Sequence, residues 1–506
     1  MSQPKITASE DHVAGNRVFS AFRWTLAGTV LHRLINFAGL ALIARLIGRD
    51  SFGVYRELLS LHLIMFVALP LGFDHLYTRE RKRRSEYWPA LKGALFLSAG
   101  ISGIMVMLLH KPISSFLNLG DYSWLLYAVP LVLSIQGLKI ALRTPLTAEL
   151  NFRATSAAEV INTIVSTVCG IIMVLTWPTP LSLYAAFGAG EIAECISLRA
   201  MSTRKPNMVT TISPLRWSMP FRAHWRFCLP FTLDQLLNAL GTGAPVLLLG
   251  SFLGHNIAGS YAMANSLVSM PLYLLVGALG RVIFPSLAGL SEEALHRRTL
   301  LTVMGSAAFV VPVIITLGML APAVVHVILG KTWQEDTPLL VQMIAGYGVL
   351  IALFSPISSL DVLRNRPGVG LAWNFAHTTA RLFALYLASP YGLVTAAGAY
   401  CAVSLLFWFL YGHIQAWLLG AGFGRFYWSW CRFLPFWLLL SGGLYAVRFI
   451  VQASSWFALP LSIVPIGLYF VLVLLVFPQT RELVARGFPE RLKQTLAAGF
   501  WSGRIL

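Results

Sequence analysis

Long apolar runs separated by short polar loops extend along the chain from about residue 19 to about residue 477. A helix needs about 20 predominantly apolar residues to cross the hydrocarbon core of a bilayer, and windows of this length recur throughout. The pattern therefore predicts an all-α polytopic membrane protein with about 14 transmembrane helices. The predicted spans lie at roughly 18–47, 52–76, 89–109, 122–143, 155–177, 180–200, 226–253, 257–286, 299–329, 337–361, 369–388, 391–416, 430–451 and 456–477.

Residues 252–261 echo residues 46–55, and each stretch lies between two apolar runs. Two glycines and a tyrosine recur at a constant offset of 206 residues, as Gly48 and Gly254, Gly53 and Gly259, and Tyr55 and Tyr261. Each copy is typical of the tight turn of a transmembrane hairpin. Six predicted spans separate the copies, so both face the same way. The repeat therefore predicts two parallel six-helix bundles, with a cavity between the halves near the bilayer midplane.

The span map divides the chain into five parts. They are an N-terminal six-helix bundle (1–200), a basic cytoplasmic connector (201–222), a C-terminal six-helix bundle (223–420), two additional helices (421–480) and a basic cytoplasmic tail (481–506).

Composition agrees with lipid as the main solvent, because 57% of the 506 residues are hydrophobic and the mean hydropathy is +0.71. The net charge of +18 would suggest nucleic acid as the partner of a soluble protein. Here the basic residues cluster on alternate loops, such as residues 79–84 and the connector, as orientation signals. This pattern predicts a multi-pass protein with both termini in the cytoplasm and no nucleic-acid partner.

No enzyme or metal motif stands out. The five cysteines are scattered without metal-ligand spacing, and there is no Gly-x-Ser-x-Gly and no glycine-rich phosphate loop of the right spacing. The sequence therefore predicts a protein that is not an enzyme and that carries neither cofactor nor metal.

Polar side chains inside the first span mark a candidate binding site, since charges within spans cost at least ~2.5–3.5 kcal/mol on insertion scales. His32, Arg33 and Asn36 lie there, and no acidic residue occurs from His12 through Arg49. Arg33 is about ten residues from the inner end, too deep to reach the interface easily. It either faces an anion in the cavity or forms an internal structural pair.

The eleventh span carries Asn374, His377 and Arg381 at spacings of three and four, on one helical face. Such a stripe on an otherwise apolar helix is expected to face the protein interior. The corresponding stripe in the first half is Glu159, Asn162 and Ser166, with the same spacing. Arg381 either binds an anionic ligand or pairs with Glu159 as an internal lock.

Other charged groups within spans have both a functional and a structural interpretation. Glu191 and Glu194, three residues apart, either couple transport to an ion or pair with arginines of the connector. Asp234 lies near a helix start, where the helix dipole favours a carboxylate. Arg56 either guards the cavity mouth or contacts Asp50. The candidate coupling residues for a proton or sodium ion are Glu159, Asp234 and Glu191.

Several segments resemble the bacterial polysaccharide transporters that flip O-antigen and exopolysaccharide repeat units. Residues 246–254 (VLLLGSFLG) and 281–287 (RVIFPSL) resemble the seventh and eighth helices of that family, and residues 44–55 resemble its opening hairpin. Arg143-Thr144-Pro145 with residues 150–153, and Tyr391-Gly392 with Ala396-Ala397, match further motifs. The resemblance covers roughly residues 20–420.

This resemblance implies two six-helix bundles around a cationic cavity, with two extra C-terminal helices in some members. It implies alternating access for oligosaccharides carried on undecaprenyl diphosphate, moved across the bacterial inner membrane from the inner to the outer leaflet. The implied partners are this lipid-linked oligosaccharide, membrane lipids, a polysaccharide polymerase and a chain-length regulator. By similarity to the lipid II flippase, Arg33 would contact the diphosphate. Where many relatives carry an aspartate, this chain has Gly243-Ala244-Pro245.

Two other classes of function remain open. A cation-coupled multidrug exporter of the same superfamily would favour an acidic cavity, whereas the first span has Arg33 and no carboxylate. A membrane polysaccharide polymerase or ligase would resemble proteins with large outer loops, whereas the outer loops predicted here are no longer than about a dozen residues.

Overall fold

The computed structural model describes residues 8–79, 84–149, 151–202, 214–287, 290–420, 422–451, 457–478 and 480. Half of the predicted connector (203–213), the tail (481–506) and loop residues 80–83 lie outside the described residues.

Every regular element in the described residues is helical. The helices of the first part of the chain are α1 (Ala8–Ile47), α2 (Arg49–Val67), α3 (Phe73–Arg79), α4 (Arg84–Leu108), α5 (His110–Phe116), α6 (Ala128–Ala148), α7 (Phe152–Thr176), α8 (Pro180–Met201), α9 (Pro214–Leu253) and α10 (His255–Leu287). Those of the second part are α11 (Glu292–Gly305), α12 (Val311–Met319), α13 (Ala321–Leu329), α14 (Thr337–Phe354), α15 (Leu360–Leu363), α16 (Pro367–Ala388), α17 (Leu393–Leu419), α18 (Phe423–Cys431), α19 (Leu434–Val451), α20 (Ala458–Leu461) and α21 (Ile463–Val476). A π-helical segment, Ser306–Val310, joins α11 to α12.

Eleven helical segments of the described chain are long and apolar enough to cross a membrane. Three further helices coincide with predicted spans: α2 with 19 residues, α10 with 33 and α16 with 22. Helices α2 and α16 are more polar because they carry Arg56 and Glu57, and Asn374 and Arg381, respectively. The prediction of an all-α membrane protein is confirmed at this level.

The chain forms two compact units that interleave along the sequence. The first unit comprises residues 1–266, 328–337 and 371–400, and the second comprises residues 267–327, 338–370 and 401–506. The predicted division into bundles 1–200 and 223–420 stays a prediction.

The two echoed hairpins turn at glycines in the left-handed region of backbone space. Gly48 has φ 82° between α1 and α2, and Gly254 has φ 97° between α9 and α10. Glycine is favoured here because a side chain strains this conformation.

The hairpins also pack against each other within the first unit, through a second pair of equivalent glycines. A Cβ atom at Gly53 would collide with the backbone carbonyl of His255, and one at Gly259 would collide with the carbonyl of Arg49. The absence of a side chain therefore lets the two helix starts approach closely.

A short segment at residues 328–337 is bound to the first hairpin. The fully buried Trp333 donates its indole N–H to the carbonyl of Ala44 at 3.2 Å, and its ring meets Phe52 edge-on at 5.5 Å. Arg49 forms ion pairs with Asp336 at 3.0 Å and Glu335 at 2.6 Å. The hairpin end is thus fixed by both packing and charge.

In the second unit, the C-terminal helices bind the π-helical segment of the chain. Trp437 of α19 donates to the carbonyl of Ala307 at 3.1 Å, and the Tyr469 hydroxyl of α21 donates to that of Ala308 at 3.2 Å. A π-segment leaves carbonyls without their usual helical partner, and these side chains satisfy them.

The glycine contact between the hairpins predicts sensitivity to a single methyl group. Gly53→Ala forces the two helices apart and is expected to destabilise the fold by about 1–3 kcal/mol, seen as a lower midpoint of thermal unfolding in detergent. Gly346→Ala is the matched control, because a Cβ there meets nothing within 4 Å. Equal midpoints for the two variants would contradict the packing described.

Candidate ligand-binding site

All the candidate site residues lie in the first unit. They are His32, Arg33 and Asn36 on α1, Arg56 on α2, Glu159 on α7, Glu191 on α8, Asp234 on α9, and Asn374, His377 and Arg381 on α16. The structure therefore allows each of them to be placed among its own neighbours.

Glu191 and Glu194 bind a lysine that the sequence reasoning missed. Lys139 of α6 places its Nζ 2.5 Å from Glu191 Oε2 and 3.5 Å from Glu194 Oε2. Both glutamates are almost fully buried, with 3% and 2% exposure. A buried carboxylate needs such a partner, because an unpaired charge there is strongly unfavourable. Nothing is described of the side chains of the predicted partners, the arginines of the connector.

The same network extends to Glu159. Arg143 of α6 forms an ion pair with Glu159 and approaches Glu194 Oε1 at 3.6 Å. Asn162 donates its side-chain amide to Glu194 Oε2 at 2.8 Å and to Glu191 at 3.3 Å. Glu159 is thus paired with Arg143, not with Arg381 as in the internal lock considered from the sequence. Two cations pair with three carboxylates, so the network carries a formal charge of −1.

Helix α1 contacts this network through His32. His32 forms a hydrogen bond with the Thr163 hydroxyl, which donates to the carbonyl of Glu159 at 2.9 Å. Arg33 is half-buried and Asn36 is exposed. His32 therefore helps to dock α1 on α7.

The described hydrogen-bond partners of the Asp234 carboxylate are all neutral groups. Asn374 donates to Asp234 Oδ1 at 2.9 Å and Asn238 donates to Oδ2 at 3.3 Å. Thr378 in turn donates to the Asn374 side-chain oxygen at 3.3 Å. The candidate residues Asp234 and Asn374 are thus brought together, and the Asp234 carboxylate has no ion pair among the described residues.

Arg381 occupies a socket made by small and aromatic groups. Its guanidinium lies over the Tyr400 ring at 5.5 Å, and it fills the space that a Cβ at Gly241 would need. Its Nε is buried without a hydrogen-bond acceptor, and no ion pair of Arg381 occurs within the described part of the chain. One turn earlier, the buried His377 stacks on Trp373 at 4.8 Å. The polar stripe of α16 is therefore packed against protein, as the sequence predicts.

Arg56 is half-buried near the start of α2, and its Nε also lacks an acceptor. The contact with Asp50 considered from the sequence is not found among the described residues. Arg56 and Arg381 thus remain cations without an acidic partner in the part of the chain that the structure describes.

The signal for Lys139 was present in the spacing of charges. Lys139 and Arg143 are four residues apart in an apolar span, and Glu191 and Glu194 are three apart in another. Such spacings place each pair on one helical face, so two complementary faces were available for pairing. Since α6 and α8 are not consecutive, the sequence alone did not connect them.

The arrangement suits an anionic ligand better than a cation. The carboxylates of the first unit's spans already have internal partners, while a guanidinium offers a planar fork of donors that matches phosphate oxygens. Among the described residues, no group of three or more His, Cys, Asp or Glu side chains is arranged to hold a metal ion.

A family of proteins described as polysaccharide biosynthesis proteins matches residues 42–338, more than half of the chain. The chain belongs to this polysaccharide biosynthesis family. The match confirms the resemblance to polysaccharide transporters that the hairpin motifs predict.

Relatives of the family are similar along much of their length. The lipopolysaccharide biosynthesis protein WzxC of Escherichia coli K12 is 22% identical over 372 residues, which is 72% of this chain and 73% of WzxC. The teichuronic acid biosynthesis protein TuaB of Bacillus subtilis 168 is 21% identical over 93% of this chain and 98% of TuaB.

The fold is also similar to that of a solved membrane protein. The lipid II flippase MurJ in an inward closed conformation superimposes with a TM-score of 0.72, over 91% of this chain and 99% of MurJ, at 13% sequence identity. This similarity supports the all-helical membrane fold of the chain.

The buried charge network predicts a strong effect of removing Lys139. Lys139→Met leaves two buried carboxylates without their main partner and is expected to lower the thermal midpoint strongly, as breaking a buried pair costs about 3–5 kcal/mol. The double variant Lys139→Met with Glu191→Gln is expected to recover part of this loss. Lys111→Met, at an exposed lysine, is the control. Equal midpoints for Lys139→Met and this control would contradict the network.

Proposed function

We propose that the chain is a flippase that moves undecaprenyl-diphosphate-linked oligosaccharide repeat units across the bacterial inner membrane by alternating access. The transported repeat units supply the synthesis of a surface polysaccharide, either O-antigen or exopolysaccharide. The proposed direct partners are the lipid-linked oligosaccharide and membrane lipids, with a polysaccharide polymerase and a chain-length regulator acting next to it.

The observation that carries this proposal is the state of Arg381. It is the charged group of the α16 stripe, it lies within a predicted span, and the described residues offer it no acid. A cation placed in a membrane without a partner is costly, so its retention points to a ligand of opposite charge. The diphosphate of a lipid carrier supplies that charge.

The family relationship supports the same substrate class. WzxC and TuaB are named for the biosynthesis of lipopolysaccharide and teichuronic acid, and MurJ is named a lipid II flippase. We transfer from these names the idea of a glycan carried on a lipid anchor. Arg33, Asn36, His32, Arg56, His377 and Asn374 are the other proposed cavity residues.

The proposed topology has fourteen spans, made of the eleven apolar segments and helices α2, α10 and α16. Both termini are placed in the cytoplasm, because this orientation puts the basic loops inside. The proposal keeps the two six-helix bundles and the two additional C-terminal helices.

Among the three candidate coupling residues, Asp234 is the one we propose. Glu159 and Glu191 are neutralised by Arg143 and Lys139. Asp234 has amide partners only, so it is available to a proton or sodium ion.

An arginine variant tests the anion site directly. Arg381→Ala removes the guanidinium and is expected to reduce surface polysaccharide by at least about tenfold, since a charged hydrogen bond to phosphate contributes about 1.5–3 kcal/mol. The lipid-linked repeat unit should accumulate in the inner leaflet, measured by leaflet-resolved mass spectrometry of cells.

The matched control is Arg297→Ala, which removes an exposed arginine outside the site. Arg381→Lys is expected to retain part of the activity, because it keeps the charge but loses the fork geometry. Normal export by Arg381→Ala at matched protein levels would contradict the proposal.

A second variant tests coupling. Asp234→Asn keeps the hydrogen-bond shape but removes the charge, so transport by purified protein in vesicles should lose its dependence on an imposed proton or sodium gradient. Gradient-dependent transport at the wild-type rate would exclude Asp234 as the coupling residue. Asn238→Ala is the control, because it removes the 3.3 Å contact to the Asp234 carboxylate and the 2.9 Å bond to its backbone carbonyl but leaves the charge and the Asn374 donor in place.

A further inference from the structure

One fully buried carboxylate of the first unit lies outside the site above. Glu57 of α2 has 0% exposure, and its Oε1 accepts a hydrogen bond from His255 Nδ1 at 2.8 Å. His255 is the first residue of α10, in the second echoed hairpin. The Glu57–His255 contact therefore links the two hairpins by charge at the place where Gly53 and Gly259 link them by packing.

The surroundings hold both partners in position. The Glu57 carboxylate fills the space that a Cβ at Gly250 would need. His255 Nε2 donates to the carbonyl of Asn118 at 3.2 Å, and the Asn118 side chain donates to the carbonyl of Ser251 at 3.0 Å. Because both ring nitrogens are directed at acceptors, the site favours the protonated imidazolium.

Glu57 has a single donor. Its Oε2 is buried and accepts no hydrogen bond from the described residues. The other charged groups nearby are Asp50, which lies close enough to act on both partners, Arg56 on the same helix, and Arg49, which is already paired with Glu335 and Asp336. The charge balance at Glu57 thus depends mainly on His255.

We propose that Glu57 and His255 form a proton-binding site that latches the two echoed hairpins together, and that protonation of Glu57 releases the latch. The hairpins face the outside in the proposed topology, so the proton would come from the outer solution. This inference rests on the proposed transport function for its role in the cycle, where it would link opening of the outer side to proton uptake.

The proton balance sets the sign of the pH dependence. With one proton shared by the pair, a carboxylate faces an imidazolium and the latch is closed. One added proton makes Glu57 neutral and abolishes the attraction, leaving a buried imidazolium. The hydrogen bond that His255 donates to the Glu57 carboxylate raises the pKa of His255 above its ordinary value. The contribution of the His255 charge is therefore complete below about pH 6.5 and is lost as the pH rises through the raised pKa.

Hydrogen–deuterium exchange of the full chain in lipid nanodiscs tests the latch. Peptides covering residues 46–60 and 250–262 are compared at about pH 5, 7 and 9, after correction for the intrinsic chemical exchange rate. We expect the slowest exchange near neutral pH and about tenfold faster exchange at the acid end, because opening becomes easier. A peptide covering residues 311–327 of the second unit should not respond.

Two variants separate a proton site from a purely structural contact. Glu57→Gln should exchange rapidly with no acid response. His255→Gln leaves a buried carboxylate without its cation, so acid should neutralise Glu57 and slow the exchange, which reverses the wild-type trend. This second variant keeps the test decisive if Glu57→Gln does not fold.

His110→Gln is the matched control, since His110 is a half-buried histidine that bonds the Ser123 carbonyl and stacks on Tyr127 instead. It should keep the wild-type profile. The proposal would be overturned if the exchange rate of the wild type did not rise at acid pH. It would also be overturned if either Glu57→Gln or His255→Gln kept the acid response of the wild type. The exchange experiment contains no substrate, so such a result would not contradict the flippase proposal. Conversely, failure of the flippase tests would not affect the exchange measurement of the latch.

Discussion

The need to neutralise charge inside a membrane governs the arrangement of the first unit. Each charge within a span costs at least ~2.5–3.5 kcal/mol on insertion scales. The buried carboxylates are therefore paired with side chains of neighbouring helices. Lys139 joins α6 to α8 through Glu191 and Glu194, and Arg143 joins α6 to α7 through Glu159. These contacts fix three helices relative to one another and give each of these carboxylates a cationic partner.

The two repeated halves differ at positions that matter for the proposed ligand site. The repeat supplies equivalent glycines, Gly53 and Gly259, which let the two hairpins meet. It does not supply an equivalent of Arg381, because the matching position in the first half is Ser166. Gly241 leaves the room that the guanidinium fills. The two hairpins are therefore equivalent in their glycine contacts, whereas Arg381 has no charged equivalent, which agrees with the proposed site for one anionic head group.

Much of the fold follows from local sequence, whereas the charge pairing does not. Apolar run length predicts the membrane helices, and the repeated glycines predict the turns at Gly48 and Gly254, because both signals depend on neighbouring residues. The partner of Glu159 depends on which spans become neighbours, so Arg143 was not distinguishable from Arg381 in the sequence. Lys139 was overlooked for the same reason. The family assignment depended on short motifs, and these were sufficient.

Translocation by the purified protein is the most direct measurement of the proposed flippase activity. Vesicles containing the protein are loaded in one leaflet with an undecaprenyl-diphosphate-linked oligosaccharide, and its appearance in the other leaflet is followed with a membrane-impermeant glycosidase. We expect translocation well above that in protein-free vesicles, and much slower movement of the same glycan on an uncharged polyprenyl anchor. Equal rates for the two anchors, or no translocation above the protein-free background, would contradict the proposal.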